Sequence, residues 1–398
     1  MNLTTAKEAL EIILKTSEDF GTEDVKFLKS LGRTLKEDIV ADRDFPPFDR
    51  VSMDGIAFSS EAFNSGQRSF KIEGVQAAGS EQLTMQNPAN CIEAMTGAIL
   101  PKNTNAVIQY ELLTIENGIA TINLELVKNL QNVHLKGLDR KQGAVLISEN
   151  TLISPAEIGV LATVGKTTVK VAKQPKVMII STGNELVGVC DTPEEHQIRR
   201  SNVYTLVSLL EKLNIQAETA HIIDDKSLLL TKINSFLNDF DVLLFSGAVS
   251  KGKFDFIPDV LKELGVQKLF HRVKQRPGKP FWFGKKGNKT IFAFPGNPVS
   301  TFASCLKYFY PWYYKSMGLN SENKNEAILT EDYFFKPDLT YFLQVKITRK
   351  EGEILATPIS GRGSADLVNL VDSDAFLELP DDRRNFTKGE VFPLITYR

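Results

Sequence analysis

The sequence has 398 residues, of which 42% are hydrophobic and 24% are charged. This composition is that of a folded globular protein and excludes a disordered or fibrous chain, and the length predicts two to four domains. With 47 Lys and Arg against 49 Asp and Glu, the net charge of −2 gives no footprint for nucleic-acid binding, so any anion site has to be built locally.

Hydrophobic runs and cysteines predict the compartment. The sequence opens with MNLTTAKE rather than with a charged segment followed by an apolar one, and no stretch approaches the roughly 18 apolar residues of a membrane span. Cys91, Cys190 and Cys305 lie far apart and are odd in number, which predicts neither a disulfide framework nor a Cys-x-x-Cys metal site. We therefore expect a cytoplasmic protein with reduced cysteines and no membrane partner.

The first part of the chain is predicted to be mixed in structure. Apolar residues at helical spacing predict a helix over residues 5–16, with Thr4 or Thr5 as its N-cap, and a second helical stretch near residues 23–31. Residues 44–55 are crowded with proline and turn residues and predict an ordered loop. From residue 56 to residue 127, short alternating runs such as 106–111 and 118–123 predict a small β-rich insert.

The sequence from residue 176 onward predicts an α/β domain. Continuous apolar runs at residues 177–181, 241–245 and 290–294 are typical of buried parallel strands, and helical patterns at 203–213 and 256–264 lie between them. Beyond Gly318, runs at 342–347 and 353–357 predict a C-terminal β domain. The predicted fold class is therefore multidomain α/β, with a mostly parallel central sheet, a β-rich insert and a C-terminal β domain.

Each of the three apolar strands ends in a glycine turn, at residues 181–185, 246–252 and 295–298. The carboxyl ends of parallel strands meet at one crevice, and glycine lets backbone N–H groups approach an anion closely. Asn297 can cap, and Pro298 can begin, a helix over residues 299–308, which places N–H groups near the third turn. One such turn is an ordinary connection, but three together indicate an anion-binding site.

Charged residues lie beside these turns. The segment RVKQRPGKP contains Arg272, Arg276 and Lys279, and its proline and glycine residues fix the backbone around Lys279, which favours oxyanion binding over a merely solvated face. Carboxylates near turns would suit Mg²⁺ together with substrate phosphates, and they are Asp54, Glu185, Asp224, Asp225 and Asp255.

Other chemistries lack their sequence markers. His134, His196, His221 and His271 show no metal-ligand spacing, and we expect surface or structural roles for them. The chain has no Walker motif, no Gly-x-Gly-x-x-Gly and no Gly-x-Ser-x-Gly. These absences argue against kinase, dehydrogenase and hydrolase functions.

Several specific motifs follow one another along nearly the whole chain. They are FDRVSMDGIA from Phe48, TGAILP from Thr96, GLD from Gly137, STGNEL from Ser181, SN at Ser201, the run from Ser246 to Asp255, PGKP from Pro277 and FPGNPVS from Phe294. In this combination the sequence resembles the molybdopterin molybdenumtransferases of the MoeA family, bacterial molybdenum-insertion enzymes related to the C-terminal domain of gephyrin.

The resemblance implies an elongated homodimer of four-domain subunits. The corresponding boundaries are residues 1–45 with 129–172 for a discontinuous N-terminal domain, 46–128 for the insert, 173–318 for the molybdopterin-binding α/β domain and 319–398 for the C-terminal β domain. The site would lie in a cleft between the α/β domain of one subunit and N-terminal segments of the other. Its substrates would be adenylyl-molybdopterin (molybdopterin-AMP) and molybdate, with Mg²⁺ as cofactor.

The resemblance also implies roles for individual residues. Catalytic roles fall on Asp54, Asp139, Glu185 and Asp255, and Mg²⁺ binding falls on Asp224 and Asp255. Substrate binding falls on Thr96, Arg272, Arg276, Lys279 and Ser364, to which the glycine turns add Ser246, Gly247, Ser250, Pro295, Gly296 and Asn297.

This sequence departs from the family pattern at several places near the site. Arg272 and Arg276 stand where the family has lysine, Ala248 replaces a second glycine, Lys251 and Lys253 lie in the same loop, and Arg200 replaces an Asp. These changes make the site more basic. They bear either on the preference between molybdate and tungstate or on nucleotide contacts.

The implied reaction is cleavage of the pterin–AMP phosphoanhydride, with molybdate transferred to the pterin dithiolate and AMP released. No covalent enzyme intermediate is required, so positioning and charge stabilisation should dominate. Two alternatives are a molybdopterin adenylyltransferase, which resembles only the α/β domain, and a non-enzymatic scaffold like gephyrin, which needs a linker and a second fused domain. Other molybdenum cofactor synthesis proteins are further candidate partners, whereas nucleic acid is not.

Overall fold

The computed structural model of the chain describes residues 3–247, 255–361 and 363–398. The chain forms two compact units. The larger unit contains Met1–Lys36, Asn150–Ser154 and Thr168–Arg398, and the smaller unit contains Glu37–Glu149 and Pro155–Thr167. The four-domain division drawn from the sequence stays a prediction.

The smaller unit is built on a β-sheet, as the alternating runs predict. Its strands are, in spatial order, Ala106–Gln109, Gly55–Phe58, Asn90–Ala94, Ser69–Gln76, Ile119–Ile122 and Leu113–Glu116. The aromatic rings of Phe58, Phe63 and Phe70 pack together in its core, with Phe63 supplied by the short helix Ser60–Asn64. Short pairs join Ile39–Val40 to Val145–Ile147 and Arg50–Val51 to Val133–His134, and the helix Pro155–Thr163 completes the unit.

The larger unit begins with the helix Ala6–Leu14, close to its predicted position. Thr5 is its N-cap and forms a capping box with Glu8, while Ala6, Ala9 and Ile13 are buried at helical spacing. The second predicted helix, near residues 23–31, is wrong. Thr22–Lys26 is a strand that pairs antiparallel with Thr168–Ala172, and only the short 3₁₀ turn Phe27–Lys29 follows it. A short helix is marginal on its own, so the available strand partner decides the structure.

The α/β sheet occupies the centre of the larger unit. Its strands are, in order, Glu218–Ile222, Val177–Thr182, Val242–Ser246, Lys289–Phe294, Trp282–Lys286 and Gln267–His271. The first four are parallel, which confirms the three predicted buried strands. Trp282–Lys286 runs antiparallel to both of its neighbours, Lys289–Phe294 and Gln267–His271. Parallel strands need helices on both faces, and this requirement explains their continuous apolar sequences.

Helices cover both faces of this sheet. Ile179 and Phe292 lie in one core, together with residues of the helix Asn202–Glu211. Ile180 and Ile291 lie in the other core, which the helices Lys226–Asp239 and Ile257–Glu263 cover. The predicted helix over residues 299–308 begins as Pro298–Ser304, passes through the π-helical turn Cys305–Phe309 and continues as Tyr310–Ser316.

The C-terminal β domain closes on itself. Its strands are, in order, Thr340–Lys350, Glu353–Pro358, Glu326–Leu329, Val391–Thr396 and Ala375–Leu379, and the last pairs with the first. A short strand from the α/β domain, Gln275–Arg276, adds parallel to Thr340–Lys350, and Tyr333–Phe334 pairs separately with Asn385–Phe386. Another short pair joins Leu186–Val187 to Ile198–Arg199, and the helix Asn369–Asp372 precedes the strand Ala375–Leu379. No helix in the described ranges is long and apolar enough to cross a membrane.

Candidate functional site

The second and third glycine turns lie side by side at the carboxyl edge of the α/β sheet. Asn202 joins them, because its Nδ2 donates to Ser246 Oγ at 2.9 Å and to the Gly296 carbonyl at 2.7 Å. The Gly247 N–H, in a residue with a φ of +107°, donates to the Phe294 carbonyl at 3.1 Å. The structure therefore brings together Ser246, Gly247, Pro295 and Gly296, as the sequence predicts. Ser250 and the departures Ala248, Lys251 and Lys253 lie outside the described residues.

The third turn also holds Ser364, which comes from the loop after the strand Glu353–Pro358. Asn297 occupies the N-cap position of its helix, but its side chain makes no cap hydrogen bond. Asn297 Nδ2 instead donates to Ser364 Oγ at 2.8 Å, and the Val299 N–H donates to the Ser364 carbonyl at 3.1 Å. The predicted side-chain cap at Asn297 is therefore replaced by a tie to Ser364.

Arg276 and Ser364 line the same small pocket, with a volume of about 50 Å³. We call it the Arg276 pocket, and its described lining is Arg276, Pro277, Val299, Tyr341, Phe342, Gln344, Gly361, Gly363 and Ser364. Arg276 is the only charged residue in that described lining. The Arg276 guanidinium carbon lies 5.8 Å from the centre of the Phe335 ring. A single cation with hydroxyl and amide neighbours suits a small anion.

Arg272 and Lys279 belong to the same basic loop as Arg276 but do not line the Arg276 pocket. The Arg272 N–H donates to the Phe281 carbonyl at 2.8 Å, and the Val273 N–H donates to the Lys279 carbonyl at 2.9 Å. These bonds fold the loop back on itself. Arg276 thus lines the pocket together with Ser364, whereas the other two predicted anion-binding cations, Arg272 and Lys279, do not.

Glu185 and Asp224 lie near the end of the first predicted strand. The Asp224 N–H donates to Asn184 Oδ1 at 3.1 Å, and the Glu185 carboxylate folds over Gly183. His221, predicted to be structural, lies near both carboxylates and within hydrogen-bond distance of Ser181 Oγ, at 3.0 Å from its Nδ1. Partial burial lowers the pKa of His221, and the nearby Arg200 lowers it further, while Ser181, Asp224 and Glu185 oppose this change.

Asp225 and Asp255 each lie just before a helix. Asp225 caps the helix Lys226–Asp239 by accepting from the Leu228 N–H at 2.8 Å, so the structure assigns it a helix-capping role. Asp255 is half-buried just before the helix Ile257–Glu263. Within residues 3–247, 255–361 and 363–398, no group of three or more His, Cys, Asp or Glu side chains could hold a metal ion.

In the smaller unit, Asp54 and Thr96 are in direct contact. Asp54 Oδ1 accepts from the Thr96 N–H at 2.6 Å, and hydrogen bonds from Thr96 lower the pKa of Asp54 below its usual value of 3.8. Gly55 places its backbone against the Ile108 carbonyl, where any Cβ would overlap that oxygen. Close packing of these strands therefore fixes the position of Asp54. Its carboxylate is exposed, as a group that reaches a ligand must be.

Asp139 is also exposed and lies in the same unit. Its Oδ1 is 2.8 Å from His134 Nε2, and its N–H donates to the Phe45 carbonyl at 2.9 Å. His134, predicted to be a surface or structural residue, thus orients a predicted catalytic carboxylate.

Gln344 lines the Arg276 pocket but was missed by the sequence analysis. It lies in the long strand Thr340–Lys350, in a run of buried residues, and nothing in its spacing links it to the basic loop. Only the parallel pairing of Gln275–Arg276 with that strand places Gln344 beside the Arg276 pocket.

Comparisons with known proteins cover the whole chain. The family of the MoeA N-terminal region (domain I and II) matches residues 4–165, that of the probable molybdopterin binding domain matches residues 178–313, and that of the MoeA C-terminal region (domain IV) matches residues 326–397.

Curated relatives and a solved structure agree with these matches. A protein of Synechocystis named molybdopterin molybdenumtransferase is 38% identical over 397 residues, which cover 98% of each chain. One of the same name from Bacillus subtilis is 30% identical over 98% of this chain and 93% of its own. The crystal structure of the molybdopterin biosynthesis MoeA protein of Pyrococcus horikoshii is similar over 100% of both chains, with a TM-score of 0.85 and 30% identity.

Proposed function

Since the chain belongs to the MoeA family of molybdopterin molybdenumtransferases, we propose that it inserts molybdate into adenylyl-molybdopterin and releases AMP, forming the molybdenum cofactor. The Arg276 pocket is the observation that carries this proposal. It offers the Arg276 guanidinium and the Ser364 hydroxyl within about 50 Å³, several times the roughly 10–15 Å³ that a single water needs, so it has room for a small oxyanion rather than for a pterin ring.

The pocket and the glycine turns bind different substrates. Arg276 and Ser364 bind oxygens of molybdate in the Arg276 pocket. Ser246, Gly247, Pro295, Gly296 and Asn297 form the adjoining edge of the sheet, where a pterin phosphate or nucleotide can approach the backbone closely. Arg272 and Lys279 supply further positive charge from the basic loop. Their fixed charges stabilise the negative charge that develops when the phosphoanhydride breaks and AMP leaves.

Mg²⁺ binding by Asp224 and Asp255 is part of the proposal. Mg²⁺ in phosphate chemistry is commonly held by one or two carboxylates together with substrate phosphates and water, so a cage of three protein carboxylates is not needed. When bound, the ion would neutralise charge on the phosphoanhydride oxygens. Asp224 is held in place by the bond from its N–H to Asn184.

The remaining carboxylates are proposed to position substrates or to move protons. Asp54 and Asp139 are each oriented by one neighbour, Thr96 and His134 respectively, and Glu185 is exposed at the first glycine turn. A carboxylate held by a backbone N–H keeps its charge and its direction, and both properties suit the binding of a proton donor on a substrate.

One assay tests the proposed function against its alternatives. Purified protein is offered adenylyl-molybdopterin with molybdate, or unmodified molybdopterin with ATP. Molybdate-dependent release of AMP from the first mixture is the expected result. Consumption of the second mixture would identify an adenylyltransferase, and consumption of neither would leave a scaffold. The full-length match to proteins named molybdopterin molybdenumtransferase supports the first outcome.

We expect the protein to be a homodimer and to work in the cytoplasm. In the predicted arrangement, the segment containing Asp54 from one subunit completes the α/β site of the other. Light scattering at micromolar concentration should therefore give about twice the chain mass of 44.3 kDa. A monomer mass together with full insertion activity would contradict a site shared between subunits.

A further inference from the structure

Gln344 presents an unused hydrogen-bond donor to the Arg276 pocket. The residue is only 9% exposed, and its Nε2 has no hydrogen-bond partner among the described residues. A buried N–H group without a partner is costly, so proteins rarely keep one unless something else satisfies it. Since Gln344 also lines the Arg276 pocket, a ligand in that pocket is in a position to supply the missing acceptor.

The other end of the Gln344 amide is fixed. Gln344 Oε1 accepts from Asn369 Nδ2 at 2.7 Å, which turns Nε2 away from Asn369. Gly361 lies against this pair of amides, because a Cβ added at Gly361 would be 2.7 Å from Asn369 Nδ2 and 3.2 Å from Gln344 Oε1. The amide of Gln344 is therefore held between Asn369 and the backbone of the pocket wall.

The polar side chains of the described pocket lining can all offer a hydrogen-bond donor to a ligand. Arg276 has only donors, and Ser364 Oγ already accepts from Asn297 at 2.8 Å, which leaves its hydroxyl hydrogen available to donate. Gln344 Nε2 and the Tyr341 hydroxyl add further donors, and the described lining contains no carboxylate. Donor side chains without a carboxylate beside them favour a ligand whose surface consists of acceptor oxygens.

We infer that Gln344 is a binding and specificity residue for a tetrahedral oxyanion held by Arg276 and Ser364. Its Nε2 donates to one oxygen of that oxyanion. The inference rests on the proposed function for the identity of that oxyanion as molybdate. Because an amide is neutral, Gln344 recognises an oxygen without adding charge. Arg276 supplies the charge and Gln344 helps to fix the orientation.

The Gln344→Glu variant tests this inference. Glutamate has nearly the same shape, and one of its oxygens can still accept from Asn369, but the other replaces the donor with a negative acceptor. Equilibrium dialysis of the full-length protein with molybdate should then show binding weakened by about tenfold to hundredfold, the range for one lost hydrogen bond to a charged group. Sulfate should compete with molybdate in the wild-type protein, because both are tetrahedral oxyanions.

The matched control is Thr290→Val. Thr290 is 1% exposed, and its hydroxyl likewise has no partner among the described residues, but it does not line the pocket. Its replacement should leave molybdate binding unchanged. Gly361→Ala is a second test that keeps Gln344 itself, and it should also weaken binding because the new methyl group displaces the amide pair.

The outcomes separate this inference from the proposed function. A Gln344→Glu protein that is folded by thermal unfolding and binds molybdate as the wild type does would overturn the inference, even if the wild type inserts molybdate. Conversely, a wild type that inserts no molybdate but binds it in a Gln344-dependent way would overturn the proposed function and leave the inference standing. A wild type that binds neither molybdate nor sulfate would overturn the inference.

Discussion

Asp54→Asn is expected to reduce molybdate insertion by at least about 100-fold, within the range for loss of a positioned acid or base. The variant keeps an oxygen that can accept from the Thr96 N–H, so the 2.6 Å contact and the local backbone should survive. It removes the negative charge. The thermal unfolding midpoint should therefore stay close to that of the wild type, since an exposed carboxylate contributes little to folding.

The pH dependence of insertion gives a second measurement on the same group. Thr96 lowers the pKa of Asp54 below 3.8, so Asp54 stays charged as the pH falls to that value. By the same sign, any stability from the Asp54–Thr96 contact is present above the unfolded pKa and is lost only as the pH falls through the lower folded pKa. A loss of insertion activity in the wild type well above pH 3.8 would thus belong to another group.

Two further variants complete this test. Asp42→Asn removes an exposed carboxylate from the same unit, one whose closest cation, Arg43, is 4.0 Å away, and it should have no effect on insertion. Asp255→Asn should reduce insertion at least as strongly as Asp54→Asn. If both Asp54→Asn and Asp255→Asn keep wild-type turnover, these carboxylates have no part in the mechanism.

Arg276→Ala is expected to raise the molybdate concentration needed for half-maximal insertion by roughly tenfold to hundredfold. Charge-assisted contacts to a bound oxyanion are worth about 1.5–3 kcal/mol, which corresponds to that loss of affinity. An exposed charge contributes only about 0–1 kcal/mol to folding, so thermal stability should change little. The measurement is the AMP release rate as a function of molybdate concentration.

The matched control removes an arginine elsewhere in the same unit. Arg349 is exposed on the strand Thr340–Lys350, and Arg349→Ala should leave the molybdate dependence unchanged. Arg276→Lys should recover most of the activity, because it keeps the charge and because lysine is common at this place in the family. If Arg276→Ala inserts molybdate at wild-type concentrations, Arg276 is a solvated surface residue and the anion assignment fails.

The sequence by itself determined the elements whose signals are local. Val177–Thr182 and Val242–Ser246 are buried on both faces of a parallel sheet, so their apolar runs are continuous and were readable without knowledge of their neighbours. Thr5 and Glu8 form a capping box within four residues of chain, and the glycine turns follow directly from their strands. The motifs around Asp54 and Thr96 identified both as site residues, and only the structure shows that they are in contact.

The tertiary structure decided whatever depended on partners distant in the chain. Thr22–Lys26 is a strand because Thr168–Ala172 lies beside it, and the C-terminal domain closes because Thr340–Lys350 pairs with Ala375–Leu379. The Arg276 pocket arises in the same way, because its residues are distant in the chain. Gln344 lies 68 positions after Arg276, and Ser364 lies 20 positions after Gln344. Strand pairing and burial are set by the partner surface, and no periodicity in one segment records which other segment will supply it.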